Sequence, residues 1–96
     1  MILQIFCVHD TKAEVYRTPF FMKTRGEAIR AFKDLANDKN TAIAKHPGDY
    51  RLCHIGEFDD EYCTLVYAER ITGLGFGSDY LDLPSGAIPL GIVKEG

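Results

Sequence analysis

Two hydrophobic periodicities divide this chain. Between residues 49 and 67 the side chains change character at every second position, whereas between residues 24 and 37 apolar residues return every three or four. In the first stretch Tyr50, Leu52, His54, Gly56 and Phe58 share one parity, with Arg51, Cys53, Ile55 and Glu57 on the other. Beyond Asp59, Asp60 and Glu61, residues Cys63, Leu65 and Tyr67 alternate with Thr64, Val66 and Ala68. A period of two belongs to pleated strands. Three adjacent like charges suit neither a packed helix nor a buried strand, so the chain must reverse in water there, which predicts a β-hairpin. Neither parity is wholly polar. Cys53 and Ile55 oppose Leu52 and Phe58, and Val66 opposes Leu65, whereas a half-exposed antiparallel strand alternates cleanly. Both faces of this sheet therefore want cover, and a single helix covers only one.

Residues 2–9 form a short run of Ile, Leu, Phe, Cys and Val in which only Gln4 and His9 are polar, the pattern of a central strand buried on both sides. Asp10, Thr11 and Lys12 end it. Residues 13–22 read as a loop with an edge-strand segment, because Glu14 to Arg17 can extend while Pro19 excludes a place inside a sheet. Thr24 and Glu27 have the capping-box spacing, which starts a helix. Ala28, Ile29, Ala31, Phe32, Leu35 and Ala36 lie on one side of that helix, and Glu27, Arg30, Lys33, Asp34 and Asn37 on the other. Residues 37–40 stop it, and residues 41–48 connect it to the hairpin.

This order predicts an α+β fold: a small two-layer domain with one amphipathic helix packed on a three- to four-stranded sheet, and a right-handed crossover if the first two long strands run parallel. Residues 1–68 make up the expected core domain. From residue 69 to 96 six glycines and two prolines interrupt a run still rich in Leu, Ile, Phe and Tyr. That composition predicts an extended Gly/Pro-rich C-terminal tail that packs on its own sheet or on a second subunit.

Composition narrows the function classes. With 96 residues the chain has room for one core and little for a deep catalytic cleft beside it. The net charge of −3 conceals an asymmetry: residues 1–48 carry eight Lys/Arg against five Asp/Glu, and residues 49–96 three against nine. An anionic partner should meet the first half, and a basic partner the second. Cys7, Cys53 and Cys63 are odd in number and include no CxxC pair, which predicts reduced thiols acting as small hydrophobes. The opening run is too short to span a membrane and has no basic segment before it, so neither a signal peptide nor an anchor is expected.

The candidate chemistry lies between Lys12 and Arg25. There Lys12, Arg17, Lys23 and Arg25 interleave with Tyr16, Phe20 and Phe21 and run into a helix N-terminus. Cations follow phosphates, aromatic faces stack on bases and free backbone N–H groups attract anions, so the matching ligand is single-stranded DNA. Four cations are few for such a contact, and the plainer reading makes Phe20 and Phe21 core residues. Arg30 and Lys33 would enlarge the patch, although Arg30 and Asp34 also form an ordinary i,i+4 pair. Asp59, Asp60 and Glu61 offer a partner-binding surface for a basic protein. On a reversing turn they splay apart, so no metal site is expected. His46, Cys53, His54 and Cys63 match no standard zinc spacing. No catalytic constellation and no cofactor motif emerges; the glycines at 73, 75 and 77 lack the Lys-Ser/Thr of a phosphate loop.

Residues 8–14 (VHDTKAE), 19–21 (PFF), 26–32 (GEAIRAF), 49–52 (DYRL) and 55–61 (IGEFDDE), taken together, resemble the small nonstructural protein of gokushoviruses, single-stranded DNA phages of the Microviridae. The resemblance implies a non-enzymatic accessory protein, absent from the virion and acting in the cytoplasm of the infected bacterium. Its implied roles are replication or packaging of the single-stranded DNA genome. The partners then expected are single-stranded DNA, phage or host replication and packaging proteins, and further copies of the chain in a homo-oligomer. The alternative is a protein–protein adaptor that binds a phage or host replication protein through its acidic half without touching DNA.

Overall fold

The computed structural model describes residues 1–82. Five strands and two helices follow in the order β1 (Ile2–Asp10), β2 (Val15–Tyr16), β3 (Phe20–Met22), α1 (Arg25–Ala36), α2 (Ala42–Lys45), β4 (Tyr50–Asp59) and β5 (Thr64–Phe76). Short 3-10 turns at Pro47–Asp49 and Gly77–Tyr80 lead into β4 and out of β5. All the strands form one antiparallel sheet in the order β2-β1-β4-β5, with β3 pairing to β1 alongside β2. The α+β expectation holds for these residues. The conditional crossover does not, because β4 runs antiparallel to β1. The helical connection lets the chain turn back rather than cross over.

The apolar spacing of α1 sets the layer order. Ala28, Phe32 and Ala36 face the sheet and meet Phe6, Val8, Tyr50 and Leu52, with Ile43 of α2 closing the cluster. Phe6, Phe32 and Leu52 are almost fully buried, each stabilising the fold by about 1.5–3 kcal/mol relative to an exposed side chain. Thr24 caps α1 by accepting from the Glu27 N–H at 3.1 Å. The return arm of the expected capping box goes elsewhere, since Glu27 Oε1 accepts from the Lys23 N–H. Asn37 ends the helix as its C-cap and also donates to the Tyr80 carbonyl, which fixes the turn after β5 against α1.

Two irregularities shape the sheet. Phe6 pairs with His54 but Ile5 pairs with Gly56, so Ile55 is an extra residue in β4 and the parity of that strand flips there. Tyr50, Leu52 and His54 face α1, whereas Gly56 and Phe58 face away, a switch that strict alternation does not foresee. On the other side of β4, Gly56 pairs with Tyr67 and His54 with Thr72, so residues 68–71 of β5 stand opposite Ile55 alone. A Cβ on Gly56 would lie 2.4 Å from the Val66 carbonyl oxygen, which is why glycine sits where the strands close up beside this bulge.

The break expected after Ala68 falls inside β5, which runs on to Phe76. Leu74 and Tyr80 then pack against the core cluster, and the Tyr80 hydroxyl donates to the Leu74 carbonyl. Gly75 has φ 124, and a Cβ there would lie 2.9 Å from the Tyr80 ring. Glycine thus allows both the backbone conformation and the close ring. The expected packing of the rest of the tail, residues 83–96, lies outside the described residues.

Candidate nucleic-acid interface

Residues that pair across neighbouring strands share a face, so the register defines the surface opposite α1. It carries Leu3, Ile5, Cys7 and His9 of β1, Ile55 and Phe58 of β4, Leu65 and Tyr67 of β5, and Phe21 and Tyr16 of the short edge strands. This face is apolar and has no helix over it among the described residues. In its middle Cys7 and Cys53, opposite each other, are buried, and a Cβ on Gly73 would lie 3.4 Å from the Arg51 side chain. Its flanks are open. Tyr67 is 77% exposed, Tyr16 47% and Phe21 46%.

The rings are held rather than free. Tyr16 stacks on His9 with centroids 4.0 Å apart and planes 10° from parallel, and Phe21 meets Phe58 edge-on at 5.8 Å. Such arrangements suit the aromatic quadrupole and fix ring orientation. Between the two flanks lies a cleft of about 450 Å³, floored by Cys7 and Ile55 and bordered by Tyr16, Arg17 and Pro19 on one side and by Tyr67, Ala68 and Ile71 on the other. The bulge at residues 68–71 builds the second wall. Arg17 is anchored by its N–H bond to the Val8 carbonyl at 2.8 Å. Among the described residues the ion pairs are Met1 with Asp60 and Lys33 with Asp82, so Arg17, Arg25 and Arg51 have no carboxylate partner there.

The structure divides the expected DNA-binding residues. Tyr16 and Phe21 come together on the open side, and Arg17, at the sheet edge, lines both the cleft there and a groove on the helix side beside Val8, Phe20 and Leu35. Phe20 does not: one position from Phe21 in an extended strand, it points to the other face and stacks on Phe6 at 5.7 Å beside the core. Arg25 also lies on the helix side, with Nη2 3.3 Å from His54 Nδ1. Lys12 is in the β1–β2 turn, its N–H bonded to Asp10, and Lys23 is exposed before α1. Arg30 and Lys33 occupy the outer surface of α1. The helix N-terminus is a poor anion site, because Thr24 fills part of it and the Glu27 carboxylate lies beside it.

The acidic turn is ordered by its own carboxylates. Asp59 accepts from the Glu61 N–H at 2.9 Å, and Asp60 meets the Met1 amino group. Of the three cysteines expected as small hydrophobes, Cys63 is exposed at the end of this turn with φ 55. Burial, then the neighbouring Cys53, pushes the Cys7 thiol up from its ordinary value, which keeps it protonated in the cleft floor. On the helix side His54 is buried between Gln4 and Arg25; Nε2 donates to Gln4 Oε1 at 2.7 Å while Nδ1 accepts from Arg25. Burial and then the Arg25 charge hold its pKa below the usual histidine value, in keeping with a neutral ring. No group of three metal-ligating side chains converges among the described residues, and no helix there is long and apolar enough to cross a membrane.

The molecule is thus a small α+β domain whose single sheet has one face packed by a helix and the other presented outward. The phage ORF5 protein family matches residues 3–77, and the chain belongs to that family. It is therefore a phage accessory protein, and the matched span ends where β5 gives way to the 3-10 turn. No curated protein and no solved structure matches it.

Sequence reasoning missed Ile55, Phe58, Leu65 and Tyr67 as surface residues. Their signal was the double apolar parity of the hairpin, but a face becomes a site only once the neighbouring strands are known.

Proposed function

We propose that this phage protein is a non-enzymatic, nonstructural accessory factor of the gokushovirus type, which binds single-stranded DNA during genome replication or packaging in the cytoplasm of the infected cell. The observation that carries this reading is the set of three exposed rings, Tyr16, Phe21 and Tyr67, on one open sheet face near Arg17, which has no carboxylate partner among the described residues. Rings on a sheet surface stack bases of any sequence, and an uncompensated guanidinium meets the backbone. Lys12 and Lys23, at the ends of the segment that carries Tyr16, Arg17 and Phe21, extend the contact along the strand. Further copies of the chain bind along the same DNA as a homo-oligomer.

The test is fluorescence anisotropy of a labelled oligo-dT across a salt series, on protein whose mass in solution has been measured. Affinity should fall as salt rises, and Tyr67→Ala should weaken it by about fivefold or more. Absence of binding at low salt would refute the reading. The adaptor reading is favoured by a different feature, the exposed Tyr62 and Val66 next to Asp59, Asp60 and Glu61 at the hairpin end. It predicts no oligonucleotide affinity and loss of a basic phage or host partner when those three carboxylates are neutralised.

A further inference from the structure

We infer that the cleft between the two flanks of the open face is a base-capture site, which takes one unstacked nucleobase of the bound strand while Arg17 meets the adjoining phosphate. This deepens the single-stranded DNA reading and rests on it.

The cleft is a product of the sheet's irregularities. Tyr16, Cys7, Ile55 and Tyr67 come from β2, β1, β4 and β5, the full width of the sheet. Three strand spacings separate the outer walls, about 14 Å between backbones. The floor is small and apolar, because Cys7 is short and Ile55 is the extra residue of the β4 bulge. The wall over Tyr67 is raised by residues 68–71, which have no one-to-one partner in β4. A volume of about 450 Å³ accommodates a base with its sugar.

The chemistry of the lining selects the occupant. A purely apolar groove would fit an aliphatic side chain equally well, but this one has a tyrosine on each flank and Arg17 in its lining, with no carboxylate partner among the described residues. An uncompensated cation beside aromatic rings favours a flat ligand that carries negative charge. Tyr16 already stacks on His9, so one more ring on its free side would continue an existing stack. The lining side chains offer few groups to read a base edge, so capture rests on stacking and tolerates any base.

The test compares a labelled 12-mer of dT with a 12-mer of abasic tetrahydrofuran nucleotides at the same ionic strength, using the full chain. The dT strand should bind at least about tenfold more tightly. Ala68→Leu fills the cleft without adding a ring and should remove most of that difference, whereas Arg17→Gln should weaken both strands alike. Equal affinity for the two strands, or an unchanged ratio in a folded Ala68→Leu protein, overturns the cleft while leaving DNA binding intact; absence of binding to either strand overturns both. Should Ala68→Leu not fold, photocrosslinking of wild type to an oligonucleotide containing 5-iododeoxyuridine decides the matter. Adducts on Tyr16 or Tyr67 support base capture, and adducts confined to other residues reject it.

Discussion

The two faces of this one sheet are built for different ends. On the helix side Phe6, Val8, Tyr50 and Leu52 meet Phe32 and Ala36, and the polar His54 is enclosed with a hydrogen-bond partner on each ring nitrogen. On the other side the strands carry residues just as apolar, yet Tyr16, Phe21, Leu65 and Tyr67 are left standing in solvent. Hydrophobicity alone does not distinguish the faces. What differs is enclosure: the helix-side rings are buried, whereas the open-face rings, though two of them pack on neighbours, stay about half or more exposed, and exposed rings in a group mark a contact surface rather than a core.

The comparison breaks most visibly at the core. Phe32 is 1% exposed, so Phe32→Ala should remove about 3–5 kcal/mol of stability, measured as a lower urea midpoint at an unchanged slope. A smaller loss, about 1–3 kcal/mol, is expected from Gly56→Ala, whose new methyl would collide with the Val66 carbonyl where the hairpin closes on the bulge. Thr24→Ala removes the cap of α1 and should cost about 1 kcal/mol. A midpoint for Phe32→Ala within error of wild type would mean that the helix does not close the core.

The pH dependence sharpens the same contrast, because one histidine lies on each face. Burial and Arg25 depress the pKa of His54 below 6.5, so the unfolded chain takes up a proton before the folded chain does. Its contribution to stability is fully present above pH 6.5 and is lost as pH falls through the depressed folded value. Denaturation midpoints should therefore decline on acidification through that window, and His54→Gln should flatten the decline. An unchanged slope in the variant would remove His54 as its source.

Much of this contrast was legible in the sequence. The 3.6-residue spacing of α1, its Thr24 cap and the period of two around the acidic turn yield the helix, the hairpin and the shortage of cover. Three features were not legible, and each depends on pairing between distant strands. The bulge at Ile55 transfers Gly56 and Phe58 to the open face, a change that registers only against β1. Phe20 and Phe21 read as one aromatic pair, but an extended backbone sends neighbours to opposite faces, so one joins the core edge and the other the surface. The 3-10 turn at Gly77–Tyr80 returns to α1 through Asn37 and Tyr80, in a stretch whose glycines read as a tail.

The smallest expected effect on stability is the one that best separates the faces. Tyr67 is 77% exposed, so Tyr67→Ala leaves little apolar contact to lose and should change stability by no more than about 0.5 kcal/mol. The same substitution removes a ring from the flank of the cleft and should weaken oligo-dT binding by a factor a stability change of that size cannot explain. Phe32→Ala should do the reverse, lowering stability severely while leaving the affinity of the fraction still folded close to wild type. If Tyr67→Ala instead unfolded the protein, the open face would be a second core, and its exposed rings would serve folding rather than a ligand. If it changed neither stability nor binding, Tyr67 would be an ordinary surface residue and the contact would have to rest on Tyr16 and Phe21 alone.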